Sequence, residues 1–261
     1  MPNKYMFLTD IIIHDTWGDF FNKKEVQHVL TQIELEINKD VTNGNNFTPN
    51  ANKVLRFATT DLSKVRVLWL GKDPYPQLNV ATGRSFEVDG VTTWLDGKVN
   101  SSLKNIIKLI NKSYTGKEKS DSIEKVRSEI NDGIFKIPTP DVAFDYWEKQ
   151  GVLFLNTAFT CRVGDLNEAG SHIKLWKPFF NILLDYMTEK NTCIKYFLWG
   201  QAKKYSKPLQ KRGVKESDIY TSKHPCTNGD TGVYANGSNF LNCPCFLDTK
   251  KTELKDGIDW I

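Results

Sequence analysis

The chain contains no run of about 18 consecutive apolar residues, so nothing in it would cross a membrane as a helix. The opening stretch, Met1 to Trp17, has neither an apolar signal core nor a small-residue cleavage site. We therefore read no secretory signal and expect an intracellular protein. Internal repeats, low-complexity tracts and Gly/Ser-rich linkers are also missing. Cysteine is scarce and odd in number: Cys161, Cys193, Cys226, Cys243 and Cys245. That count, in a chain of 261 residues, points to reduced intracellular thiols rather than a disulfide scaffold. A strong charge of one sign is absent too. Thirty-five Lys and Arg against 31 Asp and Glu leave +4, which permits a polyanionic partner without requiring one. The remaining composition, 39% hydrophobic and 25% charged, is that of a globular protein. We expect residues 1–261 to form a single domain with an N-terminal helical region over 1–50.

Four short runs rich in β-branched and aromatic residues predict strands: Val65 to Leu70, Val152 to Leu155, Ile194 to Trp199 and Asp218 to Ser222. The first three are apolar enough to be buried on both faces, as in a parallel sheet. The fourth is mixed in polarity. Helical periodicity lies between them. Leu103, Ile106, Ile107 and Ile110 share one face, and so do Trp176, Phe179, Phe180, Leu183 and Leu184. Ser102 is placed as the cap of the first of these helices and Ser171 as the cap of the second. Further helices are expected over 19–39, 141–150 and 202–212, the last stopping at Gly213. Strands alternating with helices imply an α/β domain around a central four-stranded, mainly parallel sheet.

Chemically able residues follow each strand. Gly71-Lys-Asp-Pro-Tyr-Pro76 follows the first, Asn156-Thr-Ala158 the second, Gly200-Gln201 the third and Lys223-His-Pro-Cys226 the fourth. Ligands bind open α/β sheets at the carboxyl ends of their strands. Asp73, Asn156 and His224 are therefore expected to meet in one pocket. A carboxylate can orient water or stabilise a developing cation. A carboxamide can read a donor–acceptor pair, and an imidazole can stabilise an oxyanion or shuttle a proton. Other chemistries fail on inspection. There is no phosphate-binding Gly-x-x-x-x-Gly-Lys-Ser/Thr loop. Gly83-Arg-Ser-Phe-Glu87 ends in Glu where a nucleophile elbow needs Gly. His224-Pro-Cys226 has Gly229 where a zinc deaminase needs its second cysteine. Cys243-Pro-Cys245 lacks a partner group for metal, so no metal site is expected.

Taken together, these segments resemble the uracil-DNA glycosylases, specifically their family 1. Gly71 to Pro76, followed by Thr82-Gly-Arg-Ser-Phe-Glu-Val88, is similar to that family's water-activating loop. Gly151 to Thr160 resembles the strand ending in its base-reading asparagine, and Phe197 to Lys204 resembles its third strand and turn. His224-Pro-Cys226 resembles its His-Pro-Ser loop, and Gly257-Ile-Asp-Trp260 its closing tail. Singly, each residue has a commonplace alternative: Asp73 before Pro74 as a turn, Asn156 as a local backbone ligand, His224, Phe86 and Tyr75 as structural or core residues. The ordered set, over residues 50–260, carries the resemblance.

The resemblance implies a three-layer α/β/α fold and hydrolysis of the N-glycosidic bond of uracil in DNA, with no metal or organic cofactor. The target base must leave the helical stack. By the same resemblance Asp73 positions water and His224 hydrogen-bonds uracil O2. Asn156 reads the base, Phe86 stacks on it, Tyr75 excludes thymine's methyl group, and Lys72 contributes its backbone N–H. Ser101, Ser102, Pro225, Cys226 and Asn228 fall where the family contacts DNA. DNA, single- or double-stranded, is the implied partner of a monomeric enzyme, with a DNA-mimicking inhibitor protein as a further one. Three departures stand out. Pro76 replaces the usual histidine, as in a poxviral branch of the family. Asn228 stands where an apolar leucine wedge is usual, and Cys226 replaces a serine. These departures raise two alternatives: a catalytically weakened DNA-binding member of a replication complex, and a glycosylase of altered base preference.

Overall fold

The structure is a computed structural model that describes residues 6–227 and 239–261. Its elements run α1 (Gly18–Asn22), α2 (Lys24–Thr42), β1 (Phe47–Thr48), α3 (Ala51–Val54), β2 (Val67–Gly71), α4 (Ser101–Thr115), α5 (Ile123–Asn131) and α6 (Pro140–Lys149). There follow β3 (Val152–Asn156), β4 (Cys161–Arg162), α7 (Ile173–Lys190), β5 (Lys195–Trp199), α8 (Ser206–Lys211), β6 (Ile219–Ser222) and α9 (Cys245–Thr249). Short 3-10 turns connect several of them. No helix among the described residues is long and apolar enough to cross a membrane.

Four strands form one sheet in the order β3-β2-β5-β6. Every pairing in it is parallel, in keeping with the mainly parallel sheet expected from the sequence. Trp69 pairs with Phe154 on one side and Phe197 on the other. Strands β2 and β3 are buried throughout, as their unbroken apolar runs require. Strand β6 lies at the edge, which accounts for its mixed polarity.

The two-residue period of a strand divides the core into two layers. Leu68, Leu70, Leu153, Leu155 and Leu198 face the N-terminal helices and α7, packing with Trp17, Phe20, Trp176 and Phe180. Val67, Trp69, Phe154, Phe197 and Trp199 face α4, α6 and the C-terminal segment with Trp147, Phe246 and Trp260. Helices on both faces give the three-layer α/β/α fold. Trp69 is fully buried, with Trp199 at 5.1 Å, Phe154 at 5.2 Å and Phe246 at 5.5 Å between ring centroids. Truncating one ring in such a core typically costs about 3–5 kcal/mol.

Several local expectations change. Helix α4 is capped by Asn100, whose side-chain oxygen accepts from the Leu103 N–H at 3.0 Å, and Ser102 is buried inside the first turn. Helix α7 starts after His172; the Ser171 hydroxyl instead accepts from the Arg162 N–H at 2.9 Å. The helix expected over 202–212 begins as a 3-10 turn, Gly200–Tyr205, before α8, and Gly213 follows with φ +87°. The helix expected over 19–39 is broken at Lys23 into α1 and α2. Helix α5 and the antiparallel β1–β4 pair have no counterpart in the sequence reading. Strands two residues long are too short for periodicity to reveal.

The chain leaves β2 for β3 on one side and returns through α7 to β5 on the other side of β2. The carboxyl ends of neighbouring strands splay apart at such a reversal, and it is there that the chain leaves space for a ligand.

Candidate active site

A cleft of about 380 Å³ opens at the carboxyl ends of β2 and β3. Its walls include Lys72, Asp73 and Tyr75 from the loop after β2, Phe86 further along, Asn156 from the end of β3, and His224 and Cys226 from the loop after β6. The three residues expected to converge thus share one cavity. Ser102 also lines it, whereas Ser101 is exposed at the start of α4. Pro225 is buried, and its carbonyl accepts from Asn105 Nδ2 at 2.6 Å, tying the His224 loop to α4. Asn228 lies outside the described residues. An adjoining groove of about 520 Å³ shares Phe86 and His224 and brings Lys203 and Lys223 alongside.

Asp73 sits on a loop held from the β3 side. The Thr157 hydroxyl donates to the Lys72 carbonyl at 2.7 Å, and the Ala158 N–H donates to the same oxygen at 3.1 Å. Cys161 Sγ donates to the Pro74 carbonyl at 3.4 Å, and the Gly164 N–H to the Pro76 carbonyl at 3.0 Å. The Asp73 side chain is 7% exposed, with Lys72 Nζ 3.7 Å from Oδ1. Its other oxygen, Oδ2, is buried with no hydrogen-bond partner among the described residues. Burial pushes the carboxyl pKa up, while the Lys72 ammonium and the Gly170 backbone N–H pull it back. A carboxylate oxygen left unpartnered in a cleft is costly unless a ligand or water takes it up.

Asn156 lies directly across from Gly71 in the β2–β3 register. A Cβ on Gly71 would stand 2.2 Å from Asn156 Oδ1, so glycine there makes room for the carboxamide. No side-chain hydrogen bond to that amide occurs among the described residues, leaving both its donor and its acceptor for a ligand.

The Cys226 N–H donates to His224 Nδ1 at 3.2 Å, and Cys226 Sγ lies 3.0 Å from the same nitrogen. A ring whose Nδ1 accepts carries its proton on Nε2 when neutral. Burial lowers the His224 pKa and so favours that neutral form. The imidazole stacks against Phe86, with centroids 5.8 Å apart and planes at 29°. Phe86 itself has φ +65°, a conformation costly for a bulky side chain. The Tyr75 hydroxyl accepts from Asn100 Nδ2 at 3.0 Å and donates to the Phe86 carbonyl at 3.4 Å. Burial pushes its pKa up to about 12.

Three contributors escaped the sequence reading. Arg84, 4% exposed, braces the Phe86 loop by pairing with Glu87 at 3.0 Å and with Asp145 and Glu148 of α6. Leu166 and Ala169 line the cleft from the segment between β4 and α7. No motif marks those two residues. Arg84 falls inside a quoted motif, but its partners on α6 are more than 60 residues away. His172 lies outside the cleft: its ring bonds Asp40 and Thr160.

Comparison with known proteins points one way. No protein-family model matches the chain. It is 28% identical over 249 residues to a uracil-DNA glycosylase of Streptococcus mutans, covering 95% of this chain and 99% of the relative. A uracil-DNA glycosylase of Campylobacter fetus is 28% identical over 258 residues, covering 97% and 95%. Among solved structures, a single-residue variant of mimivirus UNG in complex with UGI matches with a TM-score of 0.61 and 26% identity, over 83% of this chain and 71% of that one. The UNG of Nitratifractor salsuginis matches with a TM-score of 0.61 and 22% identity, over 82% and 85%.

Proposed function

We infer that this chain is a uracil-DNA glycosylase, an enzyme of DNA repair that hydrolyses the bond between uracil and its deoxyribose and leaves an abasic site. The meeting of Asp73, Asn156 and His224 in one cleft, from three separate strand ends, carries this reading. The chain supplies every group the chemistry uses, so one copy acting alone on intracellular DNA suffices.

The uridine nucleotide swings out of the stack into the cleft. Asn156 donates its amide N–H to uracil O4 and accepts from N3–H. Cytosine reverses both partners and is rejected. Tyr75 crowds C5, and Phe86 offers its ring to the base. As the C1′–N1 bond breaks, the electron pair goes to the uracil ring, and His224 Nε2–H stabilises the charge that accumulates on O2. A neutral donor is suited to this role because the developing anion, not the substrate, is what it binds best. Positive charge grows at C1′ opposite the Asp73 carboxylate. The free Oδ2 is the natural acceptor for the proton of a water that adds to C1′, completing hydrolysis. Lys72 lies beside this carboxylate and lines the cleft, and its backbone N–H is assigned to the substrate. Ser101, Ser102, Pro225 and Cys226 belong to the DNA-facing rim; Asn228, outside the described residues, is assigned to DNA contact by the resemblance alone. A protein inhibitor of the kind seen with mimivirus UNG would take the same rim.

The decisive measurement is release of free uracil from single- and double-stranded oligonucleotides by the purified protein. Asp73→Asn is expected to lose cleavage by about 10²–10⁴-fold while retaining DNA binding. Undiminished cleavage by that variant would remove Asp73 from the mechanism.

A further inference from the structure

Asp40, near the end of α2 and far from the cleft residues in sequence, holds both feet of a loop that walls part of the cleft. Its Oδ2 accepts from Arg162 Nε at 2.8 Å and from His172 Nε2 at 3.1 Å, and its Oδ1 accepts from Arg162 Nη2 at 2.9 Å. Arg162 is the last residue of β4, and His172 is the residue before α7. Between them, residues 163–171 carry Leu166 and Ala169 into the cleft wall. Gly170 lies against Lys72: a Cβ there would stand 3.1 Å from Lys72 Nζ. One carboxylate therefore clamps a nine-residue segment at its base.

The hydrogen bonds behind the clamp are complete. Trp176 Nε1 donates to the Thr160 hydroxyl at 2.6 Å, so that hydroxyl gives its own proton to His172 Nδ1, 2.9 Å away. His172 is left with Nε2–H, aimed at Asp40. A neutral imidazole satisfies every partner, and burial favours that form. The Ser171 hydroxyl accepts from the Arg162 N–H at 2.9 Å and closes the loop a second time. Such an arrangement has one low-energy geometry, which is what a group needing placement within a fraction of an ångström requires.

We propose that Asp40 is a positioning residue of the glycosylase, acting through the loop 163–171 to hold Gly170 against the Lys72–Asp73 pair. This inference rests on the activity assigned above. Asp73 is faced by Lys72 from its own loop, by the Cys161 thiol of β4, uncharged because burial pushes it up to about 12, and by the Gly170 N–H. His224, which lines the same cleft, has its pKa lowered by burial, which favours the neutral form. Asp40 is faced by Arg162 and His172, with Glu168 of the loop close to both of these. Loss of the clamp withdraws the Gly170 N–H from the carboxylate, and the proton on Asp73 then becomes harder to remove.

The test compares wild type, Asp40→Ala, Asp40→Asn and Arg162→Lys. Asp40→Ala is expected to lower kcat by about 10–100-fold with KM for DNA little changed. It should also move the acid limb of the kcat/KM profile to higher pH. Asp40→Asn, whose one amide oxygen can still accept from Arg162 Nε and His172 Nε2 although its NH2 then faces Arg162 Nη2, should recover part of both effects. Arg162→Lys, which gives up the two-pronged pairing, should fall between. Amide hydrogen exchange over 163–171 should quicken in the same order. If Asp40→Ala does not fold, Asp40→Asn and Arg162→Lys carry the comparison. An unmoved acid limb with a merely lowered melting temperature would make Asp40 a stability residue and end the proposal. So would unchanged exchange in the loop. Should the wild type release no uracil, the assigned activity fails, and exchange alone still judges the clamp.

Discussion

At the scale of single residues, the chemistry-bearing side chains were legible because each follows a strand, and strand ends are where such a sheet binds ligands. Asp73, Asn156 and His224 needed only their positions after the strands expected from the sequence to be brought together. What that reading lacked was how each is held. Nothing in Phe86 announces a positive φ, and nothing in Gly71 announces a carboxamide pressed against its Cα. Tyr75 is a case where holding and function meet. Its hydroxyl is fixed by Asn100 and by the Phe86 carbonyl, which keeps the ring in the cleft wall, where the proposed activity has it crowd C5 of the base. Tyr75→Ala is therefore expected to admit thymine, narrowing the preference for uracil by about 10–200-fold, the worth of a methyl-sized steric contact. Chromatography of bases released from thymine-containing and uracil-containing oligonucleotides measures this directly, and a variant that frees no thymine would leave the ring without its steric role.

At the scale of elements, the long strands and the helices with a strong apolar face were legible, while caps and short pairings were not. Helix α4 illustrates the difference. Its buried face was read from Leu103, Ile106, Ile107 and Ile110, yet its cap is Asn100 and not Ser102. Asparagine and serine both cap well, so only geometry decides among Asn100, Ser101 and Ser102. Asn100 also serves the cleft, since its Oδ1 caps the helix while its Nδ2 reaches Tyr75. Asn100→Ala should cost about 1 kcal/mol, and lower the melting temperature by about 2–4 °C. Asn100→Ser should regain most of that stability, because serine caps, but not the hold on Tyr75. Calorimetry beside the thymine-release assay separates the two roles; equal recovery of both would show that the Tyr75 contact has no effect on selectivity.

At the scale of the whole molecule, the charge balance is modest and the interior is aromatic, but two histidines are buried enough to make stability depend on pH. Burial lowers the pKa of His172 and of His224 below the ordinary value of 6.5. The unfolded chain binds protons at these groups where the folded chain does not, so stability is full above pH 6.5 and falls as pH drops below it. Asp40 acts lower on the scale. Its hydrogen bond from Arg162 holds its pKa below 3.8, so its contribution is present above that value and lost as pH falls through the lowered one. Denaturant midpoints are expected to decline from about pH 7.5 to about pH 5. His172→Gln should flatten that decline, and an equally steep slope in the variant would discount His172 as a source.

The amino-acid sequence by itself determined the α/β class, the parallel strands, the faces of the main helices and the convergence of Asp73, Asn156 and His224 on one cleft. Those features follow from periodicity and from the order of strands and loops, which are local and additive along the chain. The tertiary structure alone decided the caps, the strained Phe86, the buried Arg84 brace and the hold of Asp40 on Arg162 and His172. Asp40 and His172 are 132 residues apart. A bond across that distance depends on where two elements come to rest, and no pattern within either element encodes it.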